Sequence, residues 1–173
     1  MQAGQLGERL AALPGLTGRD GSHTAGNSPG VNDGAGALVL ASDAWAEREG
    51  REWLAEIVAQ AAVADEFAYL ARTPANAALA ALDKAGLQPG DIDLWEINEA
   101  FASVTLHSIR MLGIDEDRVN VNGGAVAIGH PIGASGARIL GTLVHELRRR
   151  GGGYGCAAIC SGGGQGDAVI VRV

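Results

Sequence analysis

Short apolar runs and longer amphipathic stretches follow one another along the chain. Four apolar runs have the length and composition of buried strands, at residues 35–41, 92–97, 154–160 and 168–173. Residues 53–64 are long enough for a helix, but Ile57 and Val58 favour a strand, which we predict there. A shorter strand is predicted over residues 119–121.

Three longer stretches have the end signals of helices. One begins at Thr73-Pro74, and a second follows Asn98 as its N-cap; each stops before a glycine. Pro131 opens the third, which ends in three arginines that suit the negative end of a helix dipole. Because strands and helices alternate, the sequence predicts an α/β fold with a mixed sheet and helices on both faces.

The chain is predicted to divide near residue 30. Residues 1–30 form a loop-rich lead-in with a short helix at residues 10–13, and residues 31–173 form the domain. The length of 173 residues is near the usual size of a single domain. With 47% hydrophobic and 19% charged residues, the chain is not an intrinsically disordered one.

Charge and cysteine content exclude several classes of protein. The net charge is −7 and Lys84 is the single lysine, so the chain lacks both a basic nucleic-acid surface and the lysine loop of a triphosphate site. No apolar run approaches the ~20 residues of a membrane-spanning helix, and residues 1–8 lack the features of a signal peptide. Two cysteines make no disulfide framework, so we expect a cytoplasmic protein without nucleic-acid or membrane partners.

Reactive side chains lie in three segments where a strand ends or the chain turns. They are Asn98 after the strand at 92–97, His130 in a glycine-flanked turn, and Cys160 before a run of glycines. In a mostly parallel sheet the carboxyl ends of the strands share one edge, where α/β proteins place their sites. We therefore expect the amide, the imidazole and the thiol to converge.

Each of these residues also has a purely structural interpretation. Helix capping explains Asn98, and a cysteine such as Cys160 is by default a small core residue, as we predict for Cys156. His130 precedes Pro131 at a helix start, where the dipole keeps the ring neutral and able to act as a base. The N–H groups of the glycine run favour a functional Cys160, and we expect them and His130 to lower its pKa. No residues have the spacing of a zinc site.

Three ordered motifs resemble the C-terminal active-site motifs of thiolases. They are Asn-Glu-Ala-Phe at residues 98–101, Gly-His-Pro-Ile-Gly-Ala-Ser-Gly-Ala-Arg at 129–138, and Cys-Ser-Gly-Gly-Gly-Gln-Gly at 160–166. Residues 24–35 resemble the family's loop on the coenzyme A side. The resemblance extends from about residue 10 to residue 173. It implies a thiolase-like half with a five-stranded mixed sheet, which packs against a similar N-terminal half in homo-oligomeric subunits.

The resemblance also implies a reaction and residue roles. Two acyl-CoA molecules would condense to 3-ketoacyl-CoA and CoA, or a compound such as acetoacetyl-CoA would be cleaved in reverse. His130 would activate a nucleophilic cysteine and donate to the thioester oxygen, and Asn98 would hold a water in the same oxyanion hole. Cys160 would take the α-proton of the second acyl-CoA, while the Gly162 N–H would help bind the acyl-enzyme oxygen.

Further expectations concern the substrate. Residues Phe101, Ser28, Gly30 and Leu70 would contact it, with Phe101 lining the acyl and pantetheine pocket. Coenzyme A thioesters would be substrates rather than resident cofactors, and no metal ion is expected. Such an acyltransferase would belong to fatty acid and lipid metabolism.

One part of a thiolase is absent from this sequence. The acyl-accepting cysteine belongs to the N-terminal half, and neither Cys156 nor Cys160 has its sequence setting. We therefore expect the chain to be inactive alone and to need a partner half. The alternative is a non-catalytic module that binds acyl-CoA or dimerises, and a nucleotide-binding domain built on the glycine clusters is a distant third.

Overall fold

A four-stranded sheet with helices on both faces forms the centre of the computed structural model, which describes residues 3–18 and 20–173. Residues 1, 2 and 19 of the predicted lead-in lie outside the described residues. The main elements in chain order are α1 (Ala3–Ala11), α2 (Asp43–Arg48), β1 (Glu56–Ala64), α3 (Thr73–Ala85), β2 (Leu94–Ile97), α4 (Ala102–Leu112), α5 (Ala125–Ile128), α6 (Ile132–Arg150), β3 (Tyr154–Ser161) and β4 (Gln165–Arg172). Short 3₁₀ turns occupy Phe67–Arg72, Pro89–Asp91 and Glu116–Arg118.

The sheet has the strand order β1-β4-β3-β2. Strands β2 and β3 run parallel, and β4 pairs antiparallel with both β3 and β1. The predicted mixed sheet is therefore confirmed, as is the strand predicted over residues 53–64. The number of strands is corrected from five to four among the described residues. Residues 119–121 contribute a single bridge, from Val119 to Trp95, rather than a strand.

Residues 31–41, here called the exposed segment, belong to no helix or strand of the sheet. Val31 is 100% and Val39 95% exposed, and the bridge that the structure gives this segment joins Val31 to His130. The buried strand predicted at residues 35–41 is therefore wrong for this chain. An apolar run becomes a buried strand only where it pairs with another strand and is covered, and the described residues neither pair with Leu38, Val39 and Leu40 in a sheet nor bury them.

The alternation of side chains along the strands separates two cores. In β2, Trp95 and Ile97 belong to the core under α3, whereas Leu94 belongs to the core under α6. Helix α6 follows Pro131 and ends at Gly151, whose φ of 100° is the left-handed conformation that glycine adopts readily. These features confirm the helix predicted from the proline and the three arginines. No helix of the described residues is long and apolar enough to cross a membrane.

The exposed segment predicts self-association of the purified chain. Leu38 is 47%, Val39 95% and Leu40 71% exposed, and an uncovered apolar run with free backbone groups attracts a second chain. We expect the apparent mass in analytical ultracentrifugation to rise with concentration, and Val39→Lys/Leu40→Lys to abolish the rise.

The control adds the same two charges at exposed apolar positions of α4, as Leu106→Lys/Met111→Lys, and should self-associate like the unmodified chain. A monomer at every concentration would contradict the prediction.

Candidate functional site

The site begins where β2 ends. Beyond Ile97, the N–H of Asn98 donates to the carbonyl of Ala158 on the parallel neighbour β3, at 2.9 Å. The Asn120 side chain extends the pairing on the other side, since it accepts from the Ile97 N–H at 2.8 Å and donates to the Ile97 carbonyl at 2.9 Å. Asn98 is therefore held at the sheet edge, with 1% of its surface exposed.

Asn98 is not a helix cap. Helix α4 begins at Ala102, with Phe101 in the N-cap position, and the Ala102 N–H donates to the carbonyl of Asn27 at 2.9 Å. The predicted capping role is wrong because the chain makes a turn of three residues before the helix starts. The Asn98 amide is instead directed at His130, with 3.4 Å between its Nδ2 and the ring Nε2.

His130 lies in the turn between α5 and α6. Its N–H approaches both the Gly30 carbonyl and the Asn32 side-chain oxygen at 3.2 Å, so the end of the lead-in and the start of the exposed segment fix its backbone. Its Nδ1 lies 2.7 Å from the hydroxyl of Ser135 in the first turn of α6. Burial, and then the positive charge of Arg138, lower the pKa of His130. The ring is accordingly neutral near pH 7, as the sequence predicted.

Two residues of the site, Ser135 and Arg138, were missed by the sequence interpretation. Arg138 donates through Nη1 to the Gly129 carbonyl at 2.6 Å and through Nη2 to the Asn98 side-chain oxygen at 3.4 Å. Both residues belong to the motif that contains His130, and their spacing of three places them on one face of α6. That spacing was the signal that could have identified them.

Two carboxyl groups lie next to this arrangement. Glu99 accepts from the Val126 N–H at 2.8 Å and from the Asn120 amide at 3.2 Å. Glu96 is 5% exposed, and burial raises its pKa to about 7; the Arg138 charge opposes this shift, and the nearby Glu99 and Glu146 add to it. The side of the site beneath α6 therefore contains a carboxyl group that is half protonated near neutral pH.

Cys160 lies on β3 two residues beyond Ala158, the residue that binds the Asn98 backbone. Its strand position is thus close in the sheet to the Asn98 backbone, and the side-chain hydrogen bonds of the described residues link the thiol to neither Asn98 nor His130. Burial raises the pKa of Cys160, so the expectation of a lowered pKa is wrong for this chain. Cys156 is fully buried with a pKa raised to about 12, and both thiols are free, as predicted.

Gly162 lies at the exposed tip of the hairpin between β3 and β4. The next two residues, Gly163 and Gly164, have φ values of 86° and 74°, which residues with a side chain rarely adopt. The glycine run is therefore needed to make the turn that follows Cys160. The oxyanion role of the Gly162 N–H stays a prediction.

The four candidate substrate contacts are divided among three places. Gly30 touches His130 through its carbonyl, and Ser28 is buried in the same loop. Phe101 stacks its ring on that of His23, with centroids 4.2 Å apart, at the start of α4. Leu70 lies in the 3₁₀ turn at Phe67–Arg72, which packs against α4, and it has no hydrogen-bond link to Asn98 or His130. The substrate roles of all four stay predictions.

The geometry of these residues is suited to acid–base chemistry at a carbonyl group. A neutral imidazole and a primary amide meet beyond the carboxyl end of β2, where proton transfer and stabilisation of a carbonyl oxygen can be combined. Within residues 3–18 and 20–173, no group of three histidine, cysteine or acidic side chains is placed to hold a metal ion.

Comparison with known proteins gives a consistent family assignment. The family model described as thiolase, C-terminal domain, matches residues 51–173. A probable acetyl-CoA acetyltransferase of Mycolicibacterium smegmatis is 48% identical over 99% of this chain and 44% of its own length. The human mitochondrial 3-ketoacyl-CoA thiolase is also 48% identical, over 95% of this chain and 42% of its own length.

Solved structures agree with the sequence comparison. A crystal structure of the human mitochondrial 3-ketoacyl-CoA thiolase in complex with CoA superposes with a TM-score of 0.92, at 48% identity over 95% of this chain and 42% of that one. An acetyl-CoA acetyltransferase of Bacillus anthracis gives 0.92 at 43% identity, over 99% of this chain and 43% of that one. The chain therefore spans less than half the length of the relatives it matches.

Glu96 predicts an unusual dependence of stability on pH. Because its folded pKa of about 7 exceeds the ordinary value of 4.5, the native state binds more protons than the unfolded state between these values, and stability falls as pH rises through this window. We expect Glu96→Gln to have a higher free energy of unfolding than the unmodified chain at pH 8, by roughly 1–3 kcal/mol, and a smaller advantage at pH 5.

Urea unfolding monitored by tryptophan fluorescence at the two pH values measures this difference. The exposed Glu52→Gln is the control and should show no such trend. If the free energy of unfolding changed with pH in the same way for Glu96→Gln and the unmodified chain, the buried carboxyl of Glu96 would not titrate as described.

The two thiols should differ in reactivity. Cys156 is 0% and Cys160 8% exposed, and the pKa of Cys156 is raised to about 12. We expect iodoacetamide to label Cys160 faster in the folded chain, on the order of tenfold or more, as followed by peptide mapping. In urea the two rates should become similar. Equal labelling rates in the folded chain, or faster labelling of Cys156, would contradict the prediction that Cys160 is the more reactive thiol.

Proposed function

Since the chain belongs to the thiolase C-terminal domain family, we propose that it supplies the acid–base half of a thiolase active site. The observation that carries the proposal is the contact between Asn98 and His130, at 3.4 Å, beside the strand end that holds Cys160. A binding-only or dimerising module would not require this arrangement of an amide, an imidazole and a thiol.

The proposed substrates are coenzyme A thioesters. Relatives are named acetyl-CoA acetyltransferase and 3-ketoacyl-CoA thiolase, which supports acetoacetyl-CoA and related 3-ketoacyl-CoA compounds as the substrate class. The lead-in loop supports a coenzyme A side near the site, because its Gly30 carbonyl holds the His130 backbone and its Asn27 carbonyl holds the start of α4. Phe101, Ser28 and Leu70 are proposed to contact the thioester.

In the first step of the proposed reaction, His130 acts as a base. Its neutral ring takes the proton of a cysteine thiol, and the resulting thiolate attacks the acyl carbonyl, releasing the coenzyme A thiolate, which takes up a proton. The protonated ring nitrogen and a water held by Asn98 then stabilise the charge that develops on the thioester oxygen. The attacking cysteine belongs to the part of a thiolase that this chain does not cover.

In the second step Cys160 removes a proton. Its thiolate takes the α-proton of the second acyl-CoA, and the carbanion attacks the acyl-enzyme carbonyl, which frees the first cysteine as a thiolate. Burial raises the pKa of Cys160, so the thiol is the resting form, and its proton passes to the coenzyme A thiolate that the first step releases. The Gly162 N–H is proposed to stabilise the oxygen of the acyl-enzyme.

The partner is proposed to be the N-terminal portion of a thiolase. The chain spans 42–44% of its relatives, and an apolar surface of the exposed segment is available for a further chain region. This segment bridges to His130 through Val31, and its Gly34 and Gly36 pass close to the side chains of Pro131 and Ala137. A region that pairs with the exposed segment would therefore lie next to the imidazole that needs a nucleophile.

Two wider expectations accompany the proposal. Homo-oligomeric assembly of the complete enzyme is proposed from the family resemblance, together with a place in fatty acid and lipid metabolism. The cytoplasmic compartment predicted from the sequence stays a prediction, since two relatives are named as mitochondrial.

The chain alone should have no thiolase turnover. The reaction needs one thiol to be acylated while another moves a proton, and Cys160 cannot do both. We expect the purified chain to leave acetoacetyl-CoA uncleaved, as measured by the enolate absorbance in the presence of CoA. Addition of a separately expressed N-terminal portion of the Mycolicibacterium smegmatis relative should restore cleavage.

In the restored complex, Cys160→Ala and His130→Ala should each lower kcat by orders of magnitude, whereas the core variant Cys156→Ala should not. Turnover by the chain alone that is lost in Cys160→Ala would overturn the need for a partner thiol. A stable complex that binds CoA without turnover would instead favour the non-catalytic module.

A further inference from the structure

We infer that Arg138 sets the tautomer of His130 by fixing the orientation of the Asn98 amide, so that Arg138 is a positioning residue of this site. The inference rests on which groups can donate and which can accept. Each contact in the series restricts the next one.

The series begins at the guanidinium because it can only donate hydrogen bonds. Its Nη1 is anchored 2.6 Å from the Gly129 carbonyl, and its Nη2 lies 3.4 Å from the Asn98 side chain. The amide must therefore present its oxygen to Arg138. The reverse orientation would place the amide NH₂ against a guanidinium N–H, with two donors facing each other in a buried place.

The amide orientation then determines the protonation of the ring. With its oxygen at Arg138, Asn98 directs Nδ2, which can only donate, towards His130 Nε2 at 3.4 Å. Nε2 must accept, so the proton of the neutral imidazole is on Nδ1. Ser135 completes the series: its Oγ accepts from Nδ1 at 2.7 Å, and its own proton goes to the Pro131 carbonyl at 3.0 Å.

The charge of Arg138 acts in the same direction as its geometry. Beside burial, this guanidinium is the group that lowers the pKa of His130. The other ionisable groups around the site are Glu96 from β2, which faces the same guanidinium, Glu99 from the turn after β2, and Cys160 from β3. Removal of the Arg138 charge should therefore favour the imidazolium.

The catalytic consequence rests on the proposed function. An unprotonated Nε2 beside Asn98 is the form that can take a proton from a nucleophilic thiol, after which the same nitrogen becomes an N–H donor to the thioester oxygen. The opposite tautomer would offer that thiol no acceptor. Arg138 would thus keep the ring in its basic form without touching the substrate.

The test needs only this chain and no substrate, so its outcome is separate from that of the proposed function. Long-range ¹H–¹⁵N correlation NMR reports which ring nitrogen carries the proton, with His130 assigned by comparison with His130→Gln. We expect the Nδ1–H form in the unmodified chain and in Arg138→Lys, which keeps a charged, donor-only group. In Arg138→Met the Nε2–H form should appear, and a pH titration should show a raised pKa of His130.

Two further variants keep the test decisive if Arg138→Met does not fold. Asn98→Asp replaces the donor by an acceptor, so Nε2 should become protonated and the pKa of His130 should rise. Arg110→Met removes an exposed arginine of α4 and should leave the ring unchanged. The inference is overturned if the unmodified chain shows the Nε2–H form, or if the ring of folded Arg138→Met or Asn98→Asp matches that of the unmodified chain.

Discussion

The hydrogen bond from the Asn98 N–H to the Ala158 carbonyl is the link between sheet and site. Strand β2 has four residues, and this bond continues its parallel pairing with β3 by one residue before the chain turns towards α4. The side chain of Asn120 satisfies the other edge of β2 at Ile97, so the strand end is held from both sides. A buried amide directed across the sheet edge depends on this support, because a flexible strand end would let it rotate into water.

Burial and the positions of a few arginines determine the pKa values of the groups in and around the site. Arg138 is the guanidinium that touches Asn98, and its charge acts on both His130 and Glu96. Further along α6, Glu146 binds Arg149 and Arg150, which lower the pKa of its carboxyl to about 2. The same helix therefore carries one carboxylate that is firmly ionised and lies over another carboxyl that is half protonated near neutral pH. Low dielectric makes the placement of each charge matter more than the number of charges.

Much of the site was predictable because strand ends and glycine-flanked turns are local signals. Asn98 and His130 are in contact, as expected, but His130 reaches the end of β2 from the turn between α5 and α6 rather than from the end of a strand. Arg138 was missed although its spacing from Ser135 is visible in the motif, because its contact with Asn98, 40 residues away in sequence, is not visible there. The pKa of Cys160 was misjudged because burial, which a sequence does not display, outweighs nearby N–H groups.

The fold was predictable to a similar extent. The incorrect strand prediction at residues 35–41 has a related cause. Helix α6 and the strand at residues 53–64 follow from end signals and β-branched residues, and both are present. The strand predicted at residues 35–41 has the right pattern but no neighbour in this chain. An apolar pattern shows that a segment favours burial, but it does not show which surface will cover it.

The position of β4 in the sheet has a consequence for the time at which the chain can fold during synthesis. This strand lies between β1 and β3, and it pairs Glu56 of β1 with Arg172 across 116 positions of sequence. On a ribosome, β1 emerges long before its neighbour has been translated, and its backbone groups stay without a partner until residues 165–172 leave the exit tunnel. Strand β1 must therefore stay unpaired, and in reach of chaperones, while residues 65–164 are translated.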